Sequence, residues 1–291
     1  MDKPLIDRET AITLLKGFPS VFTGAGTTER MMRWLAIGKI NKLYQTSSGY
    51  KGTDFTAHIL EELGIVYRVG DAERLNHLRE GAFITIANHP YGGLDGIMLI
   101  DLIGSFRQDY KFMVNSFLSI VQPLKDQFIT VAPATTQKPE ASYNLRGIRE
   151  TLQHLERGHP AGIFPSGAVS DFRLRNMRIK DRCWQSGIIR LVKDARVPVV
   201  PVRFFDGNSP LFYGLGLIHW KLRSLRLPGE LFNKRGQSPR IAIGRIISVD
   251  EQKQYPDLKS FSAFLRDALY GMPKPEVFIA GSVHAPSEST G

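Results

Sequence analysis

The chain has 291 residues, 42% hydrophobic and 23% charged, enough for one sizeable core and unlike a disordered, collagenous or coiled-coil chain. Lys and Arg number 38 against 28 Asp and Glu, and the resulting +10 favours nucleic acid, an anionic membrane, or an acidic substrate or carrier. One cysteine, Cys183, excludes an internal disulfide and a cysteine-based zinc cluster, and no apolar run approaches the roughly 18 to 20 residues of a spanning helix.

In chain order, Met1-Asp2-Lys3-Pro4 is followed by charged residues, so no secretory signal is expected. Residues 1–80 are expected to form a helical lead-in packed on the core. Within it, Arg30-Met31-Met32-Arg33-Trp34-Leu35-Ala36-Ile37, then Lys39 and Lys42, mix basic and large apolar residues. That mixture fits either an interfacial helix or a core-packing helix with solvated lysines.

Phe83-Ile84-Thr85-Ile86-Ala87 is short, apolar and bounded by Gly81 and Pro90, the pattern of a buried strand. Similar runs occupy 111–114, 128–131, 161–164, 197–205 and 241–249. Between them lie helical patterns: one from about Asp95 to Ile103, one with Leu145, Ile148, Leu152 and Leu155 on a face, and one with Phe261, Phe264, Leu265, Ala268 and Leu269. Strands separated by helices predict an α/β fold with a mainly parallel central sheet flanked by helices over residues 81–271. Residues 272–291, rich in Pro, Ser, Thr and Gly without periodicity, are expected to form a flexible tail.

The segment that carries chemistry is Asn88-His89-Pro90-Tyr91-Gly92-Gly93-Leu94-Asp95-Gly96, where a strand ends, turns on glycines and gives way to a helix. Ligand sites of parallel sheets lie outside the carboxyl ends of the strands, which places His89 among them. Imidazole accepts a proton near neutral pH, and Asp95 is close enough to fold back and orient it. The bland alternative is a loop histidine followed by a helix-capping aspartate.

This segment resembles the NHxxxxD block of the glycerolipid acyltransferase family, and three further blocks follow in that family's order. Lys111-Phe112-Met113-Val114-Asn115 resembles the second, Gly162-Ile163-Phe164-Pro165-Ser166-Gly167-Ala168-Val169-Ser170 the third, and Val197-Pro198-Val199-Val200-Pro201-Val202 the fourth. The resemblance implies a glycerolipid-acyltransferase-like fold, His89 as general base and Asp95 as its orienting partner. It also implies a substrate site that includes Asn115, Phe164, Pro165, Ser166 and Gly167. Five residues separate His89 from Asp95, one more than usual, as in the hemolysin-like branch with an NHPxGGxDG motif. That branch includes O-acyltransferases that complete glycine- or ornithine-type lipids. Ser166 stands where the family usually has Glu and Asn115 where a basic residue is common, so charges expected at the acceptor site are missing.

Arg173 and Arg175, with Arg178, Lys180 and Arg182, form a basic cluster that could bind an anionic head group or carrier, or be a solvated loop. Phe212, Tyr213, Leu215, Leu217, Ile218 and Trp220 could line an acyl groove, face a bilayer or pack in the core.

The expected activity is acyl transfer from acyl-carrier protein or acyl-CoA to the hydroxyl of a lysolipid. Neither a metal nor a cofactor is called for beyond that co-substrate. The expected partners are the membrane lipid surface and the acyl carrier, with no nucleic acid, and the expected place is the cytoplasmic face of the membrane, peripherally. The alternatives are a lipid or thioester hydrolase using Ser166 or Ser170, and a non-catalytic lipid- or nucleic-acid-binding protein. The hydrolase lacks a GxSxG elbow.

Overall fold

A computed structural model describes residues 4–7, 9–10, 35–131 and 141–281. Residues 30–34 of the mixed basic and apolar segment, and 282–291 of the expected tail, lie outside the described residues.

The chain enters through helices α1 (Ile37–Ser47) and α2 (Gly52–Glu62), then strand β1 (Arg68–Gly70). β2 (Ile84–Ala87), α3 (Gly93–Gly104), β3 (Lys111–Asn115) and β4 (Phe128–Val131) follow, with two 3₁₀ turns between β3 and β4. Next come α4 (Ala141–Glu156), β5 (Ala161–Ile163), a separate hairpin of β6 (Asp171–Arg173) and β7 (Arg178–Lys180), and α5 (Ser186–Ala195). β8 (Val199–Phe204), α6 (Pro210–Ile218), α7 (Trp220–Asn233), β9 (Arg240–Ile243), α8 (Val249–Lys253), α9 (Leu258–Tyr270) and β10 (Ile279–Ala280) complete the described chain.

Eight described strands form one sheet in the order β10-β1-β9-β8-β2-β5-β3-β4. The run β8-β2-β5-β3-β4 is parallel throughout, and β9 pairs antiparallel to β8. Successive side chains of a strand point to opposite faces, and both faces are covered. Phe83 and Ala87 accordingly join a core with Leu60, Leu94 and Met98 of α2 and α3. Ile84 and Ile86 join a second core with Leu155, Val192, Phe261 and Leu265 of α4, α5 and α9. Burial on both faces is why these strands read as unbroken apolar runs.

Four expectations need correction. The sheet begins inside the lead-in, because β1 pairs with β9. The strand expected over 241–249 stops at Ile243, and Ser248 caps a short helix by accepting from the Glu251 amide. The expected tail starts as ordered sheet edge: Ile279 and Ala280 pair with Val69 and Arg68. Leu145 and Leu155, grouped on one face of their helix, differ in burial: Leu145 is exposed and Leu155 is buried.

Candidate active site

β2 lies in the middle of the sheet, and its carboxyl end delivers Asn88 and His89. Asn88 is buried and clamps that end to β8: its amide donates to the Phe204 carbonyl at 2.9 Å and its oxygen accepts from the Phe204 amide at 2.8 Å. Gly92 then turns the chain with φ 86°, a left-handed value, and a Cβ there would meet Leu227 at 2.8 Å. The positive φ favours glycine there, and any larger residue would also have to displace the Leu227 side chain.

The turn brings Asp95, in the first turn of α3, back onto His89. His89 Nδ1 lies 2.8 Å from Asp95 Oδ2, and the same oxygen accepts the amides of Tyr91 at 2.9 Å and Gly92 at 3.0 Å. An oxygen already taking two amides is an acceptor for the ring as well, so Nδ1 carries the proton and the neutral ring keeps its lone pair on Nε2. The Asp95 side chain is fully buried whereas that of His89 is 16% exposed, so a substrate can reach only the imidazole. Burial pushes the Asp95 carboxyl above its usual range, opposed by its bonds to His89 and to the two amides. Asp95 Oδ1 is buried with no hydrogen-bond partner among the described residues.

The third sequence block supports the imidazole from the other side. Phe164, just past β5, stacks on His89 with ring centres 3.9 Å apart and planes 22° from parallel. Ser170 donates its amide to the His89 carbonyl at 2.8 Å and its hydroxyl to Asp181 Oδ1 at 2.6 Å. Asp181, itself buried, also accepts the His89 amide at 3.2 Å and the Trp184 indole at 3.4 Å. Removing that carboxylate leaves three donors without it. Asp181→Ala is therefore expected to lower the unfolding free energy by about 3 kcal/mol. The midpoint of a urea titration checks this, and a shift equivalent to less than about 0.5 kcal/mol would mean that water replaces the carboxylate.

His89 lines a cavity of about 670 Å³, together with Gly92, Gly93, Phe112, Phe164 and Gly167. Its remaining walls are mainly aliphatic and aromatic, including Leu43 of α1, Phe55 and Ile59 of α2, and Leu124, Phe128 and Ile188. A volume of this size accommodates a molecule of many heavy atoms, and these walls reward an apolar one.

The predicted site residues divide. Asn115, Phe164 and Gly167 reach the cavity with His89; Asn115 also caps the following 3₁₀ turn by accepting the Phe117 amide. Pro165 and Ser166 are buried beside the cavity and do not line it. Ser166 folds into its own turn, its hydroxyl donating to the Ala168 carbonyl at 2.7 Å. The Ser170 hydroxyl is committed to Asp181, so neither serine hydroxyl is hydrogen-bonded to an imidazole. Arg173 and Arg175 stand exposed on the β6–β7 hairpin, away from the cavity lining. Nor does the run from Phe212 to Trp220 line it; Phe212 and Tyr213 are core, while Leu217, Ile218 and Trp220 are exposed. Asp181 and the walls given by α1 and α2 were missed. Nothing local marks Asp181, whose partner His89 lies 92 residues away.

A strand-end histidine held by a buried carboxylate opens on an apolar cavity beside an α/β sheet, an arrangement chemically suited to moving a proton during acyl transfer. A family model described as acyltransferase matches residues 21–275, and the chain belongs to that family. The chain is also similar to the lyso-glycine lipid O-acyltransferase of Bacteroides thetaiotaomicron, 25% identical over 240 residues that cover 80% of this chain and 84% of the relative. The enzyme of the same name from Phocaeicola vulgatus is 24% identical over 239 residues, covering 80% and 82%.

Proposed function

We propose that this acyltransferase moves a fatty acyl group from a thioester, carried by acyl-carrier protein or coenzyme A, to the hydroxyl of a lysolipid. The observation that carries the reading is a single one: an imidazole with Nδ1 tied to a buried carboxylate opens on a large apolar cavity. The acceptor hydroxyl donates to His89 Nε2, and its oxygen attacks the thioester carbonyl as Nε2 takes the proton. The tetrahedral intermediate then expels the thiolate, which recovers that proton from the imidazolium. Asp95 holds the tautomer and stabilises the imidazolium while it exists. First-turn amides of a helix have no partner one turn back, and the Gly93 amide, at the start of α3 on a residue that lines the cavity, is a donor suited to the developing oxyanion.

The two relatives named for lyso-glycine lipid make a lyso amino-acid lipid the first acceptor to try, and a lysophospholipid the second. Among the described residues no Lys or Arg lines the cavity, which agrees with an acceptor whose charged head stays at the mouth. Among the described residues no helix is long and apolar enough to cross a membrane, so the protein would meet its lipid peripherally.

The test is product analysis. Purified protein, acyl-carrier thioester and each lysolipid are mixed, and the lipids are read by mass spectrometry. A new diacyl species is expected; free fatty acid accumulating in its place would point to hydrolysis and overturn the proposal.

A further inference from the structure

Between Asp206 and Lys221 the sequence has no Asp, Glu, Lys or Arg, and this stretch contains α6. Buried Phe212 and Tyr213 fix the inner side of α6, but Leu211, Leu217 and Ile218, with Trp220 at the start of α7, remain exposed. A helix that is apolar all round usually has a second apolar neighbour. The β6–β7 hairpin stands beside it, since α6 packs on β6, and its tip exposes Leu174 and Met177.

The hairpin and the helical corner are bound to each other. Arg223 of α7 is nearly buried; it donates to the Ser170 carbonyl at 3.1 Å and pairs with Asp171 of β6. Each is bound in turn to the His89 turn: the Ser170 amide donates to His89 O at 2.8 Å, and the Tyr213 hydroxyl to Pro90 O at 3.3 Å. Around the apolar tip stand Arg173, Arg175 and Arg178, all exposed and forming no ion pair among the described residues. Arg182 of the same cluster is different, being paired with Asp171 at 2.8 Å. Clustered exposed aliphatics, one tryptophan and unpaired arginines match a lipid interface. There apolar groups enter the acyl boundary, indole sits at head-group depth and arginines meet phosphate.

We infer that the β6–β7 tip and the α6–α7 corner form one docking surface for an anionic bilayer, holding the His89 turn close to the lipid from which an acceptor would come. The inference uses the proposed acyl transfer only for its source of substrate, and the docking can be measured without turnover.

The full chain is sedimented with vesicles of phosphatidylglycerol and phosphatidylcholine in roughly equal parts, and with phosphatidylcholine alone. Stronger binding to the anionic vesicles is expected, with a blue shift of tryptophan emission that Trp220→Phe removes. Replacing Arg173, Arg175 and Arg178 together by Ser should weaken binding to anionic vesicles on the order of 100-fold, about fivefold for each charge. Leu174→Ser with Met177→Ser should weaken it by roughly 10-fold or more. These side chains are exposed, so urea midpoints should not move. His89→Ala should bind vesicles as the native chain does, which separates failure of docking from failure of catalysis. Native-like vesicle binding by both sets of variants would overturn the inference, as would no binding to anionic vesicles at low salt. Arginine variants that lose only an acidic acyl-carrier protein, and not vesicles, would assign the tip to a protein partner instead.

Discussion

His89→Ala is expected to reduce the turnover of acyl transfer by roughly 10²- to 10⁴-fold, the usual share of a positioned general base, while the KM for the lysolipid changes little. The split follows from the geometry. The cavity walls that would hold an acyl chain are supplied by α1, α2, β3 and the loop after β5, and all of them survive the substitution. The fold should survive as well. Asp95 keeps the amides of Tyr91 and Gly92 when the ring is gone, and the clamp between Asn88 and Phe204 does not involve the imidazole. Phe164 loses the ring it stacks on, at a cost of about 1 kcal/mol. Single-turnover measurement of the diacyl product, beside a urea titration of the same preparation, separates chemistry from folding. A folded variant within about threefold of native turnover would falsify the assignment of the base.

The polar half of the site was legible because its parts are local. A strand-ending His, a glycine turn and an Asp six positions on lie within one strand–turn–helix unit, and chain geometry nearly dictates their meeting. Burial of β2, β5 and β8 on both faces was legible for a similar reason, since a doubly covered strand admits few polar residues. The apolar half was not. Leu43, Phe55 and Leu124 reach the cavity from three separate elements, and in sequence each is an ordinary core residue. The hairpin was missed on different grounds. Arg178-Ile179-Lys180 does alternate, but three residues are too few to show a period, and the charges suggested a loop. Ser166 shows how a resemblance can leave a side chain's role open: the block resembles the family's third one, yet the serine hydroxyl bonds to its own turn and the residue does not line the cavity.

Asp95→Asn is expected to separate activity from stability in opposite directions. The asparagine oxygen can occupy the place of Oδ2, because the amides of Tyr91 and Gly92 demand an acceptor there and thereby fix which way the side-chain amide points. His89 Nδ1 then still donates, and the tautomer is retained. The loss is the negative charge that stabilises the imidazolium, so turnover should fall by about 10²-fold or more. Stability should move the other way. Burial raises the Asp95 carboxyl above its usual range, so near neutral pH the native protein holds a carboxylate that folding has desolvated, with one oxygen lacking a partner among the described residues. A carboxyl raised on folding binds its proton more tightly in the native state. Its contribution is therefore most favourable below the ordinary carboxylate range and is lost as pH rises through the folded value. The neutral asparagine escapes that loss, and the variant should match or exceed native stability near neutral pH by about 1 kcal/mol. The difference should shrink on acidification and vanish once Asp95 is protonated in both states. Urea titrations from about pH 3 to about pH 8 read this directly. A variant less stable than native at neutral pH would mean that the His89–Asp95 pair holds the turn together, and that its carboxylate is retained for structure more than for chemistry.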